Sequence, residues 1–516
     1  MWEERKLDPA IAVAAALLCV AMAMAVAEAK GKEEPVTELM KGFTAAHSAG
    51  SSAGFEPVLH APNGAFAFGF LRVGESSLDL AVVHLPSSFA LWRATPARTA
   101  DWARPATLSF DDGRLALSVP GPGNGAHSVL WSTLNIVGDT VALLNSSDLV
   151  IRRYGGNIRT PWRSFDNPSN TLVAGQNFSG ESSTPLVSSN RRFALRMEKT
   201  FMALHMEFFF NGGAARTRPA YWRYTAREAD AQNATQPPVY GRVDIRGFFG
   251  LYIEEQSVDM IAFDTFVAKN LTAAFRRMTL EDDGNLRAYY WAEDSKAWVS
   301  DYKAITDQCG LPTSCGPYGL CVPGAPAKAQ CQCLVNTTDT AAPQCRAEET
   351  ADLCADGEKK KQVEFEVVRR RRVSVAYKEQ LPPETNKTAA ECEESCAADC
   401  GCWGAVYSGG SGYCYRLDFP VETLVYEEDD QKMGYFKVRK PQRARRRGMS
   451  PGATGATVAL ALVLAGLAVA GAWEGHRRRW RWRRDDGGGV GMEQELTPGS
   501  YKDLKSMDSS NNSFKA

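Results

Sequence analysis

The chain has 516 residues, 44% of them hydrophobic, with a formal net charge of −1 and a pI near 6.6. That length suits several domains, each with a core of its own, and the balanced charge excludes a global field that would recruit nucleic acid. All of the 13 cysteines except Cys19 lie between Cys309 and Cys414, and this even set implies a disulfide framework in an oxidising compartment.

In chain order, Ile11 to Ala27 is an unbroken apolar run that ends in Ala27-Glu28-Ala29, a cleavage pattern. It reads as a signal peptide over residues 1–29, with an uncleaved N-terminal anchor as the alternative. From about Phe55 to Val173, short alternating segments such as "GAFAFGFLRV", "GRLALSV" and "DTVALLNSSDLVIR" are punctuated by Gly, Pro, Asn and Asp. Period-2 patterning at this spacing predicts a sandwich, prism or barrel with one buried face per sheet. A second stretch of the same kind follows Arg192, with "RRFALRMEKTFMALHMEFFF", "VDIRGFFGLYI" and "FRRMTLEDDGNLRAYYW". The β part is therefore expected to be double.

Cys309 to Cys345 carries the spacing C-x5-C-x5-C-x9-C-x-C-x11-C around a Gly-Pro-Tyr-Gly turn. So short a segment cannot bury a sufficient core, and disulfides worth about 2–4 kcal/mol each must hold it. From Cys354 to about Val438 comes a further unit with a helix signal in "TAAECEESCAADC", where Thr388 and Glu391 form a capping box. Cys392 and Cys396 then share one helical face, ready to be stapled to strands bearing Cys402 and Cys414.

Thr454 to Trp473 contains no charge and, at about 1.5 Å per residue, is long enough to cross about 30 Å of hydrocarbon, so one transmembrane helix is expected. Its flanks, "KVRKPQRARRR" and "GHRRRWRWRR", are both basic, so orientation rests on the signal peptide and the cysteines. Both place residues 30 to about 450 outside. N-x-[ST] sequons at Asn145, Asn177, Asn233, Asn270, Asn336 and Asn386 fall in that outer part and would carry glycans on surface loops.

The motifs "PWRSFDNPSNTLVAGQNF", "RRMTLEDDGNLRAYYW", "CGPYGLC" and "CEESCAADCGCWGAVYSGGSGYC", in this order, resemble the extracellular part of plant S-locus glycoproteins and G-type (bulb-lectin) receptor kinases. The resemblance runs from about Phe55 to the expected membrane helix. It implies a mainly β chain: a bulb-type lectin-like β-prism over 30–185, a second lectin-like S-locus glycoprotein domain over 186–305, an EGF-like module over 306–346 and an α+β PAN/apple domain over 350–440. A basic stalk at 441–453, the helix at 454–473 and a cytoplasmic tail at 474–516 would follow. The resemblance also implies disulfides joining Cys309 with Cys321, Cys315 with Cys331, Cys333 with Cys345, Cys392 with Cys414 and Cys396 with Cys402, leaving Cys354 and Cys400. The tail has no H-R-D, D-F-G or V-A-I-K pattern, which sets the expectation of a receptor-like protein without its own kinase.

Bulb-type lectins hold mannose with Q-x-D-x-N-x-V-x-Y on a strand, where every second side chain projects on one face. In "FDDGRLALS" only Asp112 keeps its identity, and in "LNSSDLVIR" only Val150 does, so both sites read as lost. "EDDGNLRAY" is nearer the pattern: Glu281, Asp283, Asn285 and Tyr289 occupy the polar places, with Arg287 where Val is usual. Two readings remain open for it, a modified carbohydrate site and a β-hairpin built on the Asp-Gly-Asn turn signal.

No histidine spacing suits a metal, and paired cysteines leave no thiol nucleophile, so neither enzyme, cofactor nor metal site is expected. The run Arg369 to Arg372 reads either as a contact for acidic wall polysaccharide or anionic lipid, or as a solvated strand edge. Together these features imply a single-pass type I plasma-membrane receptor-like glycoprotein that recognises an extracellular glycan, peptide or protein ligand, with a receptor kinase as partner and no nucleic acid. The alternative is a mannose-type carbohydrate-binding protein that tethers the membrane to the cell wall.

Overall fold

The structure is a computed structural model that describes residues 35–440, apart from short stretches at 95–98, 122–125, 134–135, 156–158, 182–183, 209–217, 227–236, 325–328, 336–344, 346–352 and 355–362, and a helix over 451–485. The expected signal peptide, most of the stalk, the tail beyond 485 and the sequons at Asn233 and Asn336 lie outside the described residues.

Among the described residues, 35–305 is built from antiparallel strands and a few single turns of 3-10 helix. The first group has three sheets. Glu38–Met40 joins Thr140–Leu143, Leu149–Arg153 and Arg159–Arg163, whereas Phe43–His47 joins Ala106–Asp111, Arg114–Pro120 and His127–Ser132. Phe55–His60, Phe66–Val73, Ser77–His84 and Phe89–Arg93 form the third, with Ala100–Asp101 on its side. The N-terminal strands thus enter two different sheets and close the group around Leu39, Phe68, Phe70, Leu108, Phe110, Val141 and Ile151. The alternation visible in the sequence places these side chains on the inner face. At the Asp112-Gly113 turn, Gly113 sits at φ +74°, and a Cβ there would come within 2.5 Å of the Gly138 backbone. Only glycine fits.

The second group repeats this plan. Short strands Thr171–Val173, Asn177–Ser179 and Leu186–Val187 each begin a four-stranded sheet that is completed by strands between Phe193 and Lys303. Two of these starting strands lie ahead of residue 186, where the sequence places the boundary. At three residues each they are too short to show a period.

Six disulfides join Cys309–Cys321, Cys315–Cys331, Cys333–Cys345, Cys354–Cys400, Cys392–Cys414 and Cys396–Cys402. The helix Ala389–Ala397 begins with the capping box: Glu391 N donates to Thr388 Oγ1 at 3.3 Å, and Thr388 N donates to Glu391 Oε2 at 2.7 Å. It packs on a sheet in the order Phe365–Arg371, Lys432–Arg439, Gly404–Ser408, Tyr413–Leu417.

The cysteine-rich module is not separate from its neighbours. Its hairpin, Gly319–Val322 with Gln330–Cys333, extends through a parallel pairing with Leu424–Tyr426 into one sheet that also contains Val373–Val375. Tyr318 Oη donates to Lys437 O at 2.6 Å. One continuous apolar core runs from Leu172 and Phe249 in the second β group through Tyr318 and Leu320 to Trp403, Phe419 and Phe436.

The helix Pro451–Asp485 belongs to a unit of its own, 442–516, and covers the expected span Thr454–Trp473. Among the described residues no helix is long and apolar enough to cross a membrane. The described side chains of this helix, 462–479, run into Glu474 and Arg477 to Arg479, and those of 454–461 lie outside the described residues. A helix forms over the expected span, and the charges in its described part begin at Glu474, just past that span.

Candidate functional site

The segment Glu281–Tyr289 enters the strand Leu286–Ala292 from a turn at Gly284, whose φ is +85°. Neighbours hold this turn from outside. Tyr221 Oη donates to Gly284 O at 2.5 Å, Asn190 N donates to Asp282 Oδ1 at 2.8 Å, and Asn190 Nδ2 donates to Asp282 O at 2.7 Å.

The four predicted polar residues come together, but they bind protein groups. Asn285 is buried, donates from Nδ2 to Ile305 O at 2.7 Å and accepts Ile305 N on Oδ1 at 3.1 Å. Asp283 accepts from Asn285 N at 2.9 Å and forms a two-pronged pair with Arg287, whose Nη1 lies 3.0 Å from Oδ1 and whose Nη2 pairs with Oδ2. Tyr289 Oη donates to Glu281 Oε1 at 2.7 Å. Burial, with that hydrogen bond second, pushes the Tyr289 hydroxyl up to about 12. The Asp283 pairing holds the Arg287 guanidinium above its ordinary value. A hexose hydroxyl would have to displace these contacts, and the two substitutions of the pattern, Arg287 and Glu281, are the residues that engage Asp283 and Tyr289.

The other two matches behave in a related way. Asp148, in the place that Asn285 occupies in its own segment, is fully buried and accepts from Arg163 Nε at 2.8 Å, Ser164 Oγ at 3.1 Å and Phe165 N at 3.2 Å. Burial raises its carboxyl, while Arg163 opposes that shift. In both segments the third polar place therefore ties a neighbouring stretch of chain down. Asp112 lies in a tight turn at φ 50°.

Behind Tyr289 lies a cluster that sequence reasoning did not find. The Arg277 guanidinium sits 3.8 Å from the Phe89 ring centroid, 4.0 Å from that of Tyr289 and 4.7 Å from that of Trp298. Burial lowers Arg277 to about 10. His84 meets Phe275, Trp291 and Trp298 at centroid separations of 5.2–5.5 Å, so this cluster joins the two β groups. A second aromatic feature, a cleft of about 380 Å³, is lined by Trp92, Trp131 and Trp162, whose rings meet edge-on at 5.8–6.0 Å. Single tryptophans scattered over 70 residues carry no periodic signal, and only folding assembles them. The sequons at Asn145, Asn177, Asn270 and Asn386 are all exposed.

The profile described as the S-locus glycoprotein domain matches residues 249–336. A PAN domain-containing protein of Arabidopsis thaliana is 37% identical over 477 residues, covering 92% of this chain and 91% of that protein. A G-type lectin S-receptor-like serine/threonine-protein kinase of the same plant is 26% identical over 407 residues, 69% of this chain and 44% of the kinase. EP1-like glycoprotein 4, also from Arabidopsis thaliana, is 26% identical over 357 residues, 64% of this chain and 74% of that protein. The chain thus spans nearly the whole PAN relative and under half of the kinase.

Proposed function

Because this chain belongs to the family of S-locus glycoprotein-like and G-type lectin S-receptor-like proteins, we propose that it is a cell-surface receptor-like glycoprotein whose lectin-like and PAN parts recognise an extracellular ligand or a partner receptor kinase. The observation that carries this reading is the internal pairing of the mannose-pattern strand: Asn285 with Ile305, Asp283 with Arg287 and Tyr289 with Glu281. A frame kept while its sugar-facing groups are engaged with protein favours protein recognition. Exposed sequons suit an extracellular face. Anchorage through 454–473 is part of the proposal, and resistance of the full chain to alkaline extraction from membranes tests it.

A glycan array with the purified full chain beside Tyr289→Phe tests the recognition mode. Absence of mannose-type binding by both, together with co-purification of a receptor kinase, is the expected result. Binding by the wild type that Tyr289→Phe removes would instead support a carbohydrate tether between membrane and wall.

A further inference from the structure

Among the described residues, the PAN sheet ends on a free edge: strand Phe365–Arg371 pairs on one side only, with Lys432–Arg439, in an unbroken register from Phe365 opposite Arg439 to Arg371 opposite Met433. Just beyond its ends, Lys440 N donates to Glu364 O and Arg372 N donates to Lys432 O. Antiparallel pairing alternates, so the even-numbered residues of this strand turn their backbone groups inward. Phe365, Val367, Arg369 and Arg371 turn theirs outward, and none of those groups has a hydrogen-bond partner among the described residues.

The same odd-numbered side chains share one face of the sheet. The helix Ala389–Ala397 covers the far pair of strands, Gly404–Ser408 and Tyr413–Leu417, and leaves a groove of about 340 Å³ over the outer pair. Arg369, Arg371, Glu393, Tyr407, Met433 and Tyr435 line it. Arg369 is engaged by Glu393, with Nε 3.0 Å from Oε2, and Arg372 by Asp430, with Nε 2.7 Å from Oδ1. Arg371 is exposed and makes no hydrogen bond or ion pair among the described residues, although it senses Asp430 through space.

We propose that the free edge Phe365–Arg371 accepts an extended acidic peptide segment of a partner protein as an added strand, whose acidic side chains reach Arg371 and Arg369 across the groove. The outward backbone groups supply the ladder, as in other strand additions. The groove-facing arginines supply charge complementarity. A second copy of this chain is the competing occupant, since full antiparallel pairing of two such edges sets Arg370 opposite Glu366 and Arg372 opposite Glu364; a dimer of the full chain that the peptide does not dissociate would overturn the assignment to a partner segment. An acidic polysaccharide would satisfy the arginines but not the backbone row. This inference deepens the protein-recognition reading and rests on it, yet it concerns a different sheet from the mannose-pattern strand, so a positive glycan array would overturn that reading while the peptide assay tests this edge separately.

The test uses the purified full chain and a fluorescein-labelled nine-residue peptide of alternating Glu and Thr, followed by fluorescence anisotropy. Saturable binding is expected, weakened at least about tenfold by N-methylation of alternate peptide nitrogens and by the double variant Arg369→Glu/Arg371→Glu. The N-methylated peptide leaves the protein untouched, so its result does not depend on folding of the variant. Absence of saturable binding, or equal binding of the N-methylated peptide, would overturn strand addition. Oligogalacturonate that binds the groove, fails in the double variant and is not displaced by the peptide would assign the surface to acidic saccharide instead.

Discussion

Asn285 and Ile305 grip each other in both directions: the Asn285 carboxamide donates to the Ile305 carbonyl and accepts the Ile305 N–H. A residue that a mannose site would use for a hydroxyl fixes the strand end to the segment leading into Cys309. Asn285→Ala leaves the half-buried Ile305 N–H and C=O without their partner, a loss worth about 1–3 kcal/mol in all. We therefore expect Asn285→Ala to lower stability in urea by about that amount, so loss of sugar binding in this variant alone would not identify a sugar ligand.

Arg276 and Asp301 form a fully buried pair in the same sheet. Arg276 Nε also donates to Ile245 O at 3.0 Å, and Asp301 accepts Thr265 N at 3.0 Å and Thr265 Oγ1 at 2.6 Å. Removing one partner strands the other charge. Asp301→Ala is expected to cost about 3–5 kcal/mol, and Arg276→Met/Asp301→Leu distinctly less, by denaturant unfolding.

His84 makes stability depend on pH. Burial among the aromatic rings lowers it from 6.5 to about 4, against the pull of Glu293. Its folded value lies below its unfolded one, so between those values the unfolded chain binds the proton more readily. The stabilisation is present above pH 6.5 and is lost as pH falls toward 4. Melting temperatures recorded across that window should fall in the wild type and fall less in His84→Phe.

The Cys354–Cys400 bridge closes the longest disulfide loop, with a sequence separation of 46 against 6 for Cys396–Cys402. Chain-entropy reasoning ties the stabilisation to loop length, at about 2–4 kcal/mol for a typical bridge. Cys354→Ser/Cys400→Ser should destabilise more than Cys396→Ser/Cys402→Ser, as read from the midpoints of guanidinium unfolding.

Local patterns explain what was legible in advance. The alternating runs became strands, Thr388 and Glu391 made the capping box, and the Asp-Gly pair at 283–284 made a turn because their physics involves only a few neighbouring residues. Pairings over long separations left little trace. Nothing in "RRMTL" announces that Arg276 is buried against Asp301 while Arg277 turns into an aromatic cage, since both residues carry the same charge and differ only in the face they occupy. The engagement of Asn285 with Ile305 was hidden for the same reason: the pattern shows which side chains share a face, not which acceptor waits there.

The shared core bears on how the chain can be divided. Chemistry of the cysteines suggests separable parts, yet Leu172, Tyr318 and Phe436 lie in one apolar cluster, and the Gly319–Val322 strand runs parallel to Leu424–Tyr426. A graft that exchanged only the cysteine-rich module, or only the segment after it, would open this cluster to water at the seam. Specificity transplanted between relatives should therefore travel as one cassette from Thr171 to Arg439, and a splice ahead of it must keep matched partners at the seam where His84 and Phe89 meet Phe275, Trp291 and Trp298.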